Sequence, residues 1–227
     1  GADAAVVDGA SDLADSHCRG LPNHNGDIKM SDPETLSVYA AKAAEYAKMT
    51  SGEAASPNLL RFISELPKAA RTLDLGAGPG FAAGAMAAAG MEAHAWDPVP
   101  EMVAMAAAHP NVTARQAVYA DLTDVAVYDG IWCNFSMLHT PLADWPDQFM
   151  SIARALKPGG LMHFGTKLGV GEKRDALGRL YSYMSEESLM VLLRQVGFEV
   201  EYVEMGEEKG LDRQMAPFII LQARTYA

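Results

Sequence analysis

From Arg71 onward the apolar positions switch between strand-like and helix-like runs in regular alternation. "RTLDLGA" reads as a strand, and Phe81 to Ala89 as a helix ended by Gly90. "EAHAWD" is a second strand, followed by a helix from Val99 to Ala108 that Pro110 stops. "VTARQAVY" and "YDGIWCNF" read as strands, Asp144 to Leu156 as a helix closed by "KPGG", and "LMHFGTK" as a strand. Glu186 to Val196 reads as a helix closed by Gly197, and "FEVEYVEM" and "FIILQAR" as the last two strands. Strands alternating with helices over short links predict parallel βαβ units with helices on both faces of one sheet. Only "GEEKGLDRQMAP" joins the last two strands, which is too short for a helical crossover, so these two are expected to be antiparallel. The expected fold is therefore α/β, a doubly wound, mostly parallel seven-stranded sheet with an antiparallel last strand. Upstream, Pro33 to about Met49 carries Leu36, Tyr39, Ala40, Ala43 and Tyr46 at helical spacing. A second helix follows Pro57 and stops before Pro67.

The first 29 residues lack any such period. They hold Asp3, Asp8, Asp12, Asp15 and Asp27 against Arg19 and Lys29. After Met30, Asp32 can cap a helix, Pro33 suits its first turn, and Glu34 favours the positive end of its dipole. This predicts a non-catalytic N-terminal extension over 1–29 and one domain over 30–227. A chain beginning at Met30 is expected to fold and bind ligand like the full one.

Composition narrows the function classes. The 227 residues, 49% of them hydrophobic, suit one α/β domain with a small extension. Lys and Arg number 18 against 29 Asp and Glu, a net charge of −11 that argues against a nucleic-acid partner. Cys18 and Cys133 imply no disulfide framework, and the expected setting is a reducing cytoplasm. Neither a run of about 18 apolar residues nor a secretory pattern stands out, so no membrane association is expected.

The stretch "LDLGAGPG", Leu73 to Gly80, places three glycines in five positions directly after a strand. Glycine in regular structure costs roughly 0.5–1 kcal/mol relative to alanine, so the cluster implies a sharp turn or a close approach to a ligand. In a doubly wound sheet such a loop lies at the carboxyl edge, where ligands bind. Gly76 would let the chain turn, and Gly78 would let backbone amides approach the ligand. Asp97, at the end of the second strand, can accept both hydroxyls of a ribose, and it can also cap the helix after Pro98. NAD and S-adenosylmethionine compete at this point. The nicotinamide fingerprint is G-x-G-x-x-G, whereas Phe81 stands here where its last glycine would be. Asp74 beside the loop would repel a pyrophosphate but favour a cofactor carrying an ammonium and a sulfonium, which points to S-adenosylmethionine.

The motifs "LDLGAGPG", "WDP" with "EMVAMA", "YADL", "YDGIWCNFSMLH" and "ALKPGGLMHFGTK" occur in an order that resembles the class I S-adenosylmethionine-dependent methyltransferases, from about Val38 to Ala227. "GEKRDALGRLYSY" brings the chain nearest the small bacterial enzymes of the tellurite-resistance type and general small-molecule methyltransferases. The resemblance implies that Asp74 and the Gly76, Ala77, Gly78 and Gly80 loop hold the methionine end of the cofactor. Asp97 would take the ribose, with Pro98 and Met102 against the adenine. Asp121 and the Leu122 amide would contact the adenine edge. Asn134 and Phe135 would line the methionine side, and Tyr46 would be the aromatic of an N-terminal lid. Met102, Phe135 and Tyr46 equally suit plain core packing.

Methyl transfer needs an aligned acceptor, and a base only where the acceptor must lose a proton. His139, after "NFSML", is the candidate base, with a solvent or capping role as the alternative. No metal site is expected. Lys167 to Glu187 is an insertion over the carboxyl edge of the sheet, carrying Lys167, Lys173, Arg174, Arg179, Tyr181 and Tyr183. This local positive excess predicts a small anionic acceptor held by Arg174 or Arg179 and enclosed by Tyr181 and Tyr183. Alternatively these arginines pair with Glu172, Asp175 or Glu186 and order the loop. The expected reaction is methylation of a small molecule by a monomer or homodimer. An NAD-dependent oxidoreductase, or a non-catalytic cofactor-binding regulator of the same fold, remains the other reading.

Overall fold

The computed structural model describes residues 32–209 and 214–226. The extension over 1–29 and the start at Met30 lie outside them. Two short helices, α1 (Pro33–Ala41) and α2 (Ala43–Thr50), lead through a one-turn 3₁₀ segment, Glu53–Ala55, into α3 (Pro57–Ser64). The alternating part follows as β1 (Arg71–Leu75), α4 (Phe81–Ala88), β2 (Glu92–Asp97), α5 (Pro100–Ala107), β3 (Val112–Gln116) and β4 (Tyr128–Asn134). It continues with α6 (Trp145–Ala155), β5 (Leu156–Lys167), a hairpin of β6 (Gly171–Arg174) and β7 (Leu180–Tyr183), and α7 (Glu186–Gln195). The chain ends in β8 (Phe198–Lys209) and β9 (Met215–Thr225).

Seven strands form one sheet in the order β3-β2-β1-β4-β5-β9-β8. The pairs from β3 to β5 are parallel, and β9 is antiparallel to both β5 and β8, as the short final link requires. Successive β4 side chains alternate between faces. Ile131 and Cys133 pack with Trp145, Phe149 and Ile152 of α6, while Trp132 packs with Leu59 and Phe62 of α3 and Met86 of α4. Burying each such large side chain contributes about 1.5–3 kcal/mol, and burial on both faces explains why the central strands read as continuous apolar runs. The strand order reverses between β1 and β4. Their carboxyl ends, with the loops after Leu75 and Asn134, therefore flank the switch point where open α/β sheets bind ligands.

Three expectations change. The stretch from Pro33 to Met49 is two helices, because Lys42 leaves helical geometry (φ −112°, ψ 16°) and the bend brings Tyr39 and Tyr46 edge to face at 5.1 Å. The third strand stops at Gln116, and Tyr119–Asp121 forms a 3₁₀ turn whose Val118 amide donates to Asp121 Oδ2 at 2.9 Å. The insertion after β5 is a built hairpin rather than a loose loop. Asp175 closes its turn by accepting from the amides of Leu177 and Arg179.

Candidate active site

The glycine loop turns at the end of β1 with positive φ at Gly76 (77°), Gly78 (52°) and Gly80 (78°), a region alanine enters only at a cost. Close packing adds a second reason. A Cβ on Gly76 would run into the Ser136 side chain, and one on Gly78 would lie 3.3 Å from the Tyr46 ring. The loop amides are already engaged. Gly76 and Ala77 both donate to the Trp96 carbonyl, at 2.8 and 2.9 Å, and Gly78 donates to Asp97 Oδ2 at 2.8 Å. The loop thus offers a ligand room for close approach, and its amide donors serve to lock β1 to β2. That corrects the role expected for Gly78. Gly80 faces α5 and serves packing.

Asp97 is 7% exposed, and its other oxygen accepts from the Val99 amide at 2.8 Å. Burial pushes its carboxyl up to about 6, against the two amides that hold it down. It borders a narrow apolar slot lined by Leu36, Pro98, Val99 and Met102. The slot opens past Tyr39, Tyr46, Gly76 and Gly78 into a chamber of about 410 Å³. Asp74 and Asn134 line that chamber at the ends of β1 and β4. Asp74 accepts from the Ala83 amide at 3.1 Å, and burial, reinforced by the Glu53 charge, pushes its carboxyl well up. Phe135 sits in the left-handed region (φ 51°), a strained conformation for an aromatic residue, of the kind that clusters at ligand sites.

The far wall is a hydrogen-bonded chain. Arg179 Nη1 donates to Tyr39 Oη at 2.9 Å, and Tyr39 Oη meets His139 Nε2 at 2.8 Å. His139 Nδ1 lies 2.7 Å from the Leu180 carbonyl, which can only accept. Nδ1 therefore carries the proton, and Nε2 accepts from the tyrosine hydroxyl. Burial pushes His139 down to about 4, so it is neutral near pH 7. With both ring nitrogens committed, His139 is not the free base expected of it; Tyr39 presents the oxygen beside it.

Not every candidate reaches the cavity. Arg174 lies on the outer surface, where it forms ion pairs with Asp32 at 2.7 Å and Glu34 at 3.2 Å, so it does not line the acceptor space. Arg179 does line the chamber, yet its Nε and Nη2 donate to Asp175 at 2.9 and 2.7 Å, the loop-ordering alternative. Tyr181 faces the chamber and Tyr183 stacks behind it, 5.9 Å between ring centres. Asp121 is exposed and Leu122 buried in the core, and neither lines the slot or the chamber. Reading the sequence missed Tyr39 as a site residue, along with Glu53, Trp132 and Glu208 of the chamber wall. Tyr39 carried a usable signal in the sequence, where it stands seven positions before Tyr46, although the break at Lys42 puts the two on separate helices.

The site fits S-adenosylmethionine. Asp97 can accept from two hydroxyls through the lone pairs its amide partners leave free. The slot suits a flat apolar ring, and the acidic chamber end suits an ammonium and a sulfonium. The methyltransferase-domain family profile matches residues 44–203. No match is found among curated proteins. Among solved structures the chain is similar to Burkholderia thailandensis 1,6-didemethyltoxoflavin N1-methyltransferase, solved with 1,6-didemethyltoxoflavin and S-adenosylhomocysteine; identity is 20%, coverage 89% of this chain and 94% of that one, and the TM-score 0.69. It is also similar to DhpI in complex with SAH (23% identity, 85% and 96% coverage, TM-score 0.64). The cyclase SpnF has the same fold at 20% identity, 74% and 80% coverage and a TM-score of 0.60. The matched span covers more than half of the chain, and with this donor set the chain belongs to the methyltransferase-domain family, as an enzyme that uses S-adenosylmethionine as its methyl donor.

Proposed function

We propose that the enzyme methylates a small molecule bearing an anionic group, seated in the chamber between the N-terminal helices and the β6–β7 hairpin. The observation that carries this is enclosure. The chamber as a whole, about 410 Å³ including the Asp74 end that takes the cofactor's amino-acid portion, falls in the range of small-molecule sites, and Tyr39, Arg179 and Tyr181 wall it beyond Phe135. Fold likeness does not decide the acceptor, since a cyclase shares the architecture.

The cofactor supplies an activated methyl group whose leaving group is a neutral thioether. The chain's own task is alignment, which can contribute on the order of 7–11 kcal/mol. Phe135 and Tyr181 bound the acceptor, and Tyr39, whose hydroxyl donates to His139 and accepts from Arg179, fixes the wall beside it. Burial pushes the Tyr39 phenol up to about 12, so it works as a hydrogen-bonding group near pH 7. His139 acts through Tyr39 as a positioning residue. Lys167 lines the chamber, paired with Glu208 at 2.7 Å and lying 5.3 Å from the Phe135 ring centre. Lys167 and Arg179, two of the three cations lining the chamber among the described residues, would support the anionic group alongside their Glu208 and Asp175 partners.

An acceptor screen that reads S-adenosylhomocysteine release tests the reading. Turnover is expected with small carboxylate, phosphate or enolate compounds; methylation of RNA or protein alone in the same assay overturns it. With the acceptor in hand, Lys167→Ala should raise KM about tenfold, the loss of one charge-assisted hydrogen bond. Arg174→Ala should leave KM unchanged, because its guanidinium pairs on the outer surface.

A further inference from the structure

Glu53 belongs to none of the motifs, yet it reaches the centre of the site. It sits on the 3₁₀ turn between α2 and α3, outside the sheet. Its Oε1 accepts from Asn134 Nδ2 at 3.1 Å and from Trp132 Nε1 at 3.4 Å, both on β4. This orientation is enforced from behind. The His163 ring lies flat on Trp132, 3.4 Å between centres and 13° between planes, and its Nε2 lies 3.1 Å from Asn134 Oδ1. The Asn134 oxygen is thereby taken, and its NH₂ is left to face Glu53.

Glu53 and Asp74 line the same chamber. Burial pushes both carboxyls up. Among the described residues neither forms a salt bridge. Two buried carboxylates with no cation in direct contact are unfavourable until a positive group arrives. Their place beside the glycine loop is where the amino-acid end of the cofactor must lie if Asp97 takes the ribose.

We propose that Glu53, carried by the turn between the N-terminal helices, is a cofactor-binding residue that joins Asp74 in holding the α-ammonium of S-adenosylmethionine. This rests on the cofactor assignment above. Its consequence is that the amino-acid end of the cofactor ties the N-terminal helices to the sheet, because Glu53 comes from the turn between α2 and α3 and Asp74 from β1.

Calorimetry with S-adenosylhomocysteine and with 5′-methylthioadenosine separates the two ends of the ligand, since the second lacks the amino and carboxyl groups. In Glu53→Gln, which keeps the amide oxygen for Asn134 and Trp132, S-adenosylhomocysteine should bind at least tenfold more weakly. Methylthioadenosine should bind within about twofold of the unsubstituted protein, and the melting temperature should hold. Hydrogen exchange provides a second readout: S-adenosylhomocysteine should protect residues 43–56 and methylthioadenosine should not. An unchanged S-adenosylhomocysteine affinity in Glu53→Gln overturns the proposal, as does an equal loss for both ligands. Failure of the unsubstituted protein to bind either ligand is a different result, and it overturns the cofactor assignment itself.

Discussion

Gly80→Ala is expected to lower the melting temperature by roughly 5–15 °C while leaving the cofactor affinity of the folded protein nearly unchanged. Gly80 caps α4 at φ 78°. A Cβ there would lie 2.6 Å from Ala106 Cβ and 2.7 Å from Ala106 Cα, in the last turn of α5. No rotamer relieves a contact with backbone, so one helix must move. Left-handed strain contributes about 1–2 kcal/mol and overpacking about 1–3 kcal/mol. A chain of this size loses about 2–4 °C per kcal/mol. Gly90→Ala is the control. Its φ of 85° carries the same strain, but a Cβ there meets nothing within 4 Å, so only the smaller part of the loss should appear. Equal melting temperatures for the two variants, read by circular dichroism, would show that helix packing is not what the third glycine serves.

That assignment also marks where reading the sequence ran out. The central strands were legible because burial on both faces leaves runs such as "GIWC" with no polar interruption. The place of the glycine loop on the carboxyl edge followed from the alternation. The identity of each glycine's neighbour did not, since Gly80 meets a residue 26 positions further on, at Ala106. The hairpin was hidden for a related reason. Glu172, Lys173 and Arg174 of β6 are exposed, so no apolar period announces a strand. Charges in that segment were visible but their partners were not. Arg174 finds Asp32, 142 residues away, and so leaves the acceptor space it was expected to serve. Glu53 shows the same limit from the other side: its hydrogen bond to Asn134 spans 81 residues and no motif marks it. The bend at Lys42 has neither proline nor glycine to signal it, and only the packing of Tyr39 on Tyr46 gives it a reason.

Asp97→Ala should weaken S-adenosylhomocysteine binding by about 100-fold. Two hydroxyl donors to one carboxylate contribute at least about 1.5 kcal/mol each, and every 1.4 kcal/mol is tenfold. The pH dependence is the sharper signature. Burial raises the Asp97 carboxyl to about 6 in the empty fold. Because this exceeds its value in the unfolded chain, the stability the group contributes is present below about pH 4 and is lost as pH rises through 6. Binding runs the opposite way, since a ribose needs the ionised, acceptor-only form. Methylthioadenosine is the ligand of choice, because it lacks the ammonium that Asp74 and Glu53 would sense. Its affinity should be flat above about pH 7 and fall as pH drops through 6. Asp97→Asn, with one acceptor oxygen and no titration, should bind about tenfold more weakly and show no such fall. A methylthioadenosine affinity in the unsubstituted protein that stays constant from pH 7.5 to 5 would mean that Asp97 does not receive the ribose, and that its bonds to Gly78 and Val99 are its whole role.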